Sequence, residues 1–145
     1  MAKLTVDTNL LVYAIDTSDL PKHQAVHGLL EALAERDTVL CLQVLAEFFH
    51  VVTRKGRLSA DEARARILDW QTLFPTVTAG PETLVHAIDG VRRHQLAFWD
   101  AMLWATCRDA GVTVLLSEDF QDLALFEGVR FVNPFRHEDL AEHFP

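Results

Sequence analysis

The sequence predicts an α/β fold, a three-layer sandwich in which a mostly parallel sheet lies between helices. Three observations predict it. Short β-branched and apolar runs alternate along the chain with segments of helical periodicity, the arrangement of βα units. Those runs are apolar on successive residues, as strands covered on both faces must be. Finally, 145 residues that are 50% hydrophobic and 23% charged suffice for one substantial core. Residues 1–145 read as a single unit, without repeat, low-complexity stretch or Ser/Gly linker.

The elements follow in order. "KLTV" at 3–6 is a strand, and the chain turns helical after Thr8, ending near Asp16. Pro21 can open a second helix through residue 37, with Ala25, Leu29, Ala32 and Leu33 on one face at a period near 3.6. "TVLCL" is a second strand, and Gln43 to Thr53 forms a helix that buries Val44, Leu45, Phe48, Val51 and Val52. Ser59 with Glu62 three residues on has the spacing of a capping box; Ala63, Ile67, Trp70 and Leu73 form the inner stripe behind it. "TVTA" is a brief strand, Pro81 enters the next helix, and "FWDAMLWATCRDAG" is an apolar helix with Gly111 at its C-terminal cap. "VTVLLS" is the clearest strand, "EDFQDLALFEG" a short helical turn, and "VRFVNPF" a last strand stopped by Asn133-Pro134.

The composition excludes several classes. No charged leader precedes an apolar stretch, and no apolar run approaches the ~18 residues of a membrane span, so no membrane association and a cytoplasmic location are expected. Cys41 and Cys107 lie in apolar runs and read as small buried thiols. A net charge of -8 opposes nonspecific attraction to a phosphate backbone, so any nucleic-acid contact must be local. Arg54, Lys55 and Arg57 in "TRKGR" are one basic cluster that could supply it. Phosphate-binding glycine loops and nucleophile elbows are missing, and the four-residue spacing of His23 and His27 has no third ligand to complete a zinc site.

Four acids stand where solvent is not expected. Asp7 follows the first strand, Glu47 lies within "VLAEFFHVV", Asp100 within "LAFWDAMLWAT", and Asp119 just past "VTVLLS". In parallel sheets ligands bind beyond the carboxyl ends of the strands, which is where Asp7 and Asp119 arrive. Carboxylates gathered there repel one another unless a cation is present. An oxygen-only set suits Mg²⁺ or Mn²⁺, which can activate water for attack on a phosphodiester. Asn9 can steady Asp7, and Thr8 and Ser117 carry hydroxyls suited to assist.

These residues resemble the PIN domain family, in particular the small bacterial VapC-type toxins. The likeness rests on "VDTNLLVYA", "VLAEFFHV", "FWDAMLWATCRDAG", "LLSEDFQD" and "VRFVNPF", in this order and spacing across nearly the whole chain. It implies a five-stranded parallel sheet and a metal-dependent ribonuclease, commonly a toxin neutralised by a cognate antitoxin. It also implies an acidic pocket of Asp7, Glu47, Asp100 and Asp119, with Asp7 and Asp100 foremost as metal ligands and Asn9 and Ser117 in support. Asp122 stands in the variable part of the motif, outside that set. A housekeeping nuclease of the same fold, without an antitoxin, and a module that holds RNA without cutting it are the alternatives. An apolar surplus at Leu45, Phe48, Phe49, Trp70, Phe74 and Trp104 suggests a homodimer or an antitoxin groove.

Overall fold

The structure, a computed structural model, describes residues 1–144. Its strands are β1 (Leu4–Val6), β2 (Leu40–Cys41), β3 (Thr76–Val77), β4 (Val114–Leu116), β5 (Leu125–Phe126) and β6 (Val129–Val132). Hydrogen bonding divides them into a four-stranded sheet, ordered β1-β4-β6-β5, and a two-stranded ladder of β2 and β3. All pairings are parallel except β5 with β6. The parallel-dominated sheet expected is present, with four strands where five were implied. Thr38 bridges to Leu4, with Leu4 N–H donating to the Asp37 carbonyl at 2.8 Å and Val39 N–H to the Leu4 carbonyl at 2.9 Å. Beyond Cys41 the backbone is already helical, which leaves β2 too short to extend that bridge into a ladder.

Among the described residues six α-helices pack around these strands: α1 (Thr8–Tyr13), α2 (Leu20–Ala34), α3 (Leu42–Arg54), α4 (Ala60–Leu73), α5 (Pro81–His94) and α6 (Phe98–Asp109). Ser59 and Glu62 close the expected capping box on α4, satisfying two backbone donors that the first helical turn leaves free. Gly111 adopts φ +77° after α6, a left-handed conformation that a side chain would oppose. The three residues of β1 and of β4 are completely or almost completely buried; Thr5 is the polar one among them, and its hydroxyl donates to the Val39 carbonyl at 2.6 Å. Cys41 and Cys107 are buried free thiols.

Three local expectations change. Helix α2 buries Val26 and Leu33 while Ala25 and Ala32 face solvent, because larger side chains gain more from leaving water. At the end of α4, Leu73 is 60% exposed and Phe74 is buried in its place, since the helix stops at Leu73 and the extended backbone turns the next side chain inward. The 118–128 stretch is irregular and then forms β5, with Trp104 Nε1–H donating to the Phe126 carbonyl at 3.1 Å. Tertiary pairing there overrides the helical look of "LALF".

The apolar surplus is also accounted for. Leu45, Phe48, Trp70, Phe74 and Trp104 belong to the protein's own core, and of that group only Phe49 is exposed. Among the described residues, no helix is long and apolar enough to cross a membrane.

Candidate active site

Four elements deliver the four acids to the carboxyl edge of the sheet. Strand β1 ends at Val6, so Asp7 is held where the strand becomes α1, its N–H donating to the Leu116 carbonyl at 2.9 Å. Asp119 lies three residues beyond the parallel strand β4, paired directly with β1. Glu47 projects from the second turn of α3 and Asp100 from the first turn of α6, where the free N–H groups of the helix favour an anion.

Their exposure is graded: Asp7 is buried, Glu47 and Asp100 are half-buried, and Asp119 is exposed. Asp7 Oδ1 accepts from Thr8 N–H at 2.7 Å, and Asp7 Oδ2 accepts from the Ser117 hydroxyl at 2.8 Å. Asn9 Nδ2 donates to Asp119 Oδ2 at 2.9 Å and to Ser117 Oγ at 3.3 Å; Asp119 N–H also donates to Ser117 Oγ, at 3.1 Å. Ser117 is thus the joint between Asp7, Asn9 and Asp119. The Thr8 hydroxyl donates to Glu47 Oε2 at 2.8 Å, and Gln43 Nε2 donates to Glu47 Oε1 and the Trp99 carbonyl, each at 3.1 Å. These bonds hold two of the carboxylates, Asp7 and Glu47, at both oxygens.

The electrostatics follow from burial first and from neighbouring acids second. Burial drives the Asp7 carboxyl up to about 6; the Ser117 hydroxyl and Thr8 N–H oppose the rise, while Asp119 and Glu47 add to it. Asp100 is also raised, by burial and then by Asp119 and Glu47. Among the described residues none of the four acids makes an ion pair with a basic side chain. Asn9 Oδ1 is buried without a hydrogen-bond partner. Turning the amide over would place that oxygen against Asp119 Oδ2, so the orientation stands.

The donors are hard oxygens with uncompensated negative charge, a set chemically suited to a divalent cation of the Mg²⁺ type. No three histidine, cysteine, aspartate or glutamate side chains among the described residues are grouped as a ready-made ion cage. A cation that keeps several waters and takes one or two carboxylates does not need one.

A groove of about 560 Å³ opens beside the acids, lined in part by Thr8, Asn9, Glu47, Asp119, Lys55 and Arg57. The structure thus brings two members of the basic cluster to the acids and leaves Arg54 outside the lining. Arg57 pairs with Asp16 at 3.1 Å, whereas Lys55 makes no ion pair among the described residues. Asp122 is engaged elsewhere, accepting from Asn133 N–H and lying 2.8 Å from His137 Nε2. Sequence reasoning missed Gln43, whose link to Glu47 is a one-turn i,i+4 contact legible once α3 is drawn. It also missed the Tyr13–Lys22–Glu118 cluster, which no local spacing announces: Tyr13 Oη donates to Glu118 at 2.6 Å and Lys22 Nζ at 2.8 Å.

With this geometry in view, comparison with known families matches residues 4–126 to the PIN domain. The chain belongs to the PIN domain family. Solved structures share the PIN fold at low sequence identity. Mycobacterium tuberculosis VapC20, described as a sarcin-ricin loop cleaving toxin, is 20% identical with a TM-score of 0.66, covering 88% of this chain and 99% of its own. A toxin-antitoxin complex from Klebsiella pneumoniae is 18% identical with a TM-score of 0.67, covering 91% and 98%. DNA-bound VapBC from Salmonella typhimurium is 15% identical with a TM-score of 0.66, covering 90% and 97%. No curated protein matches the chain by sequence. In this PIN domain the matched segment contains all four acids of the edge cluster.

Proposed function

We propose that this PIN domain is a Mg²⁺- or Mn²⁺-dependent endoribonuclease and the toxin of a toxin-antitoxin pair. The observation that carries the reading is the convergence of Asp7, Glu47, Asp100 and Asp119 at one sheet edge, without basic partners and with the Asp7 and Asp100 carboxyls raised, first by burial and then by their acidic neighbours. A bound divalent cation would supply the charge that activates water and offsets the charge developing on a phosphodiester. Asp7 and Asp100 are its principal holders, and Glu47 and Asp119 complete the acidic set. Ser117 and the Thr8 N–H orient Asp7, Asn9 couples Ser117 to Asp119, and Thr8 and Gln43 orient Glu47. Lys55 and Arg57, which line the groove, would meet RNA phosphates there.

The toxin assignment draws on the VapC-type neighbours, two of them solved as toxin-antitoxin or VapBC complexes. An antitoxin segment that inserts Arg or Lys among the four carboxylates would displace the cation and satisfy the acids together. We also propose a homodimer, for which the exposed Leu84, Val85 and Ile88 of α5 offer an apolar surface.

Purified protein should cut single-stranded RNA with Mg²⁺ or Mn²⁺ and stop in chelator; Asp7→Asn and Asp100→Asn should each abolish cutting. Wild-type rates from Asp7→Asn would sink the site assignment. RNA binding without cleavage under either metal would point to a binding module, and cleavage by a chain with no antitoxin to a housekeeping nuclease.

A further inference from the structure

Gln43 stands between two cavities. On one side, through Glu47, is the groove that carries Lys55 and Arg57. On the other is a pocket of about 370 Å³, lined by Gln43, Leu42, Val77, Thr78, Trp99 and Met102 among others, with no charged side chain. Trp99 directly precedes Asp100 in α6, and its carbonyl is held by the same Gln43 amide that holds Glu47. Its indole is 66% exposed, whereas Trp70 and Trp104 are 5% and 1% exposed. Phe98 packs edge-on against it, ring centroids 4.9 Å apart, and restricts the ring while leaving the indole open.

We infer that Trp99 and this pocket form a nucleobase subsite, which stacks an unpaired base of the RNA next to the phosphodiester held at the acids. The inference rests on the nuclease reading and names how that site takes its substrate. The two cavities differ in charge: the groove carries Lys55 and Arg57 together with Asp16, Asp19, Glu47 and Asp119, while the pocket next to Glu47 and Asp100 carries no charge and suits the neutral part of a nucleotide. An exposed aromatic face accepts any base by stacking, and Gln43 and Thr78 are polar residues of the pocket lining. A base can enter only where the strand is unpaired, so the subsite selects single-stranded or looped RNA over a duplex.

The test uses the complete chain in chelator, so that binding is read without cleavage. Because Trp99 is the one well-exposed indole among the three tryptophans, its fluorescence reports the pocket directly. A short single-stranded RNA of mixed sequence should quench it; an abasic ribose-phosphate oligomer of equal length and a blunt RNA duplex should not. Trp99→Ala should weaken binding of the single-stranded RNA by about tenfold or more and raise KM for cleavage with little change in kcat, and Trp99→Phe should restore most of both. Equal quenching by the abasic oligomer, or undiminished RNA binding by Trp99→Ala, overturns the subsite while leaving the nuclease reading intact. A Trp99→Ala protein that keeps its RNA affinity and changes its oligomeric state overturns it in favour of a contact between copies. Base-dependent quenching by a wild-type protein that never cuts RNA supports the subsite and removes the nuclease reading instead.

Discussion

Replacing Asp7 by asparagine should stabilise the metal-free protein at neutral pH. The Asp7 carboxyl is raised from 3.8 to about 6 because it sits 7% exposed among strand and helix residues, near two other carboxylates. The folded state therefore binds this proton more tightly than the unfolded chain. The associated stability is fully present below about pH 4 and is lost as pH rises through about 6, a loss of about 3 kcal/mol for two pKa units. Asparagine carries no charge and does not suffer that loss. Its amide still accepts from Thr8 N–H but offers an N–H₂ to a Ser117 oxygen that already receives two donors, which costs about 1 kcal/mol. The net gain above pH 7 is about 2 kcal/mol, or a rise in Tm of about 4–8 °C for a chain of this size. Thermal unfolding of both proteins in chelator between about pH 4 and pH 8 measures it, the advantage of the variant growing through the Asp7 titration. Saturating Mg²⁺ should then raise the wild type and narrow the gap. An Asp7→Asn protein that is less stable than wild type at pH 8, or a difference that does not vary with pH, would refute the reasoning.

Further outcomes are expected elsewhere. Gly90→Ala should destabilise the fold by about 1–3 kcal/mol in urea despite its better helix propensity, because the added methyl would lie 2.6 Å from Trp104 Cζ3. Ser117→Ala removes the donor to Asp7 and the acceptor shared by Asn9 and Asp119; RNA cleavage should fall by about 10- to 100-fold with the RNA dissociation constant unchanged. Burial pulls the Asp122 carboxyl upward, but Asn133 N–H and His137 outweigh it and leave it lowered. Its contribution to stability is present above the ordinary aspartate range and is lost as pH falls through the lowered value, so Asp122→Ala should cost stability at neutral pH and progressively less in acid. Ser59→Ala opens the capping box of α4 and should cost about 1 kcal/mol in thermal or urea unfolding.

The helices were the most legible part of the fold, because their signals are local. Ser59 and Glu62, Pro81 and Gly111 act on groups within a turn of themselves, and each occupies its expected place. The 118–128 region was misread because Leu123 to Phe126 carry helix-compatible residues whose pairing with β6 is decided by neighbours outside the window. The separation of β2 and β3 from the main sheet was not legible for a related reason: they contribute only two residues each, too few for any pattern to specify a partner. Placing the surplus apolar residues at an interface failed at five of six positions because burial depends on which face a helix turns inward, and apolar content alone does not say.

The sequence by itself pointed to Asp7, Glu47, Asp100 and Asp119, since each stands among apolar neighbours or at a strand end where hydration is hard to keep. It also determined the βα alternation that sends strand ends to one edge, because period and capping are written in neighbouring residues. Only the tertiary structure decided that Ser117 joins Asp7 to Asp119, that Gln43 holds Glu47 beside Trp99, and that Lys55 and Arg57 reach the groove while Arg54 does not. The bonds that join separate elements there, Ser117 to Asp7 and Gln43 to the Trp99 carbonyl, link residues 110 and 56 positions apart. Hydrogen bonds act over about 3 Å, so such pairs exist only after packing has set the distance between their elements.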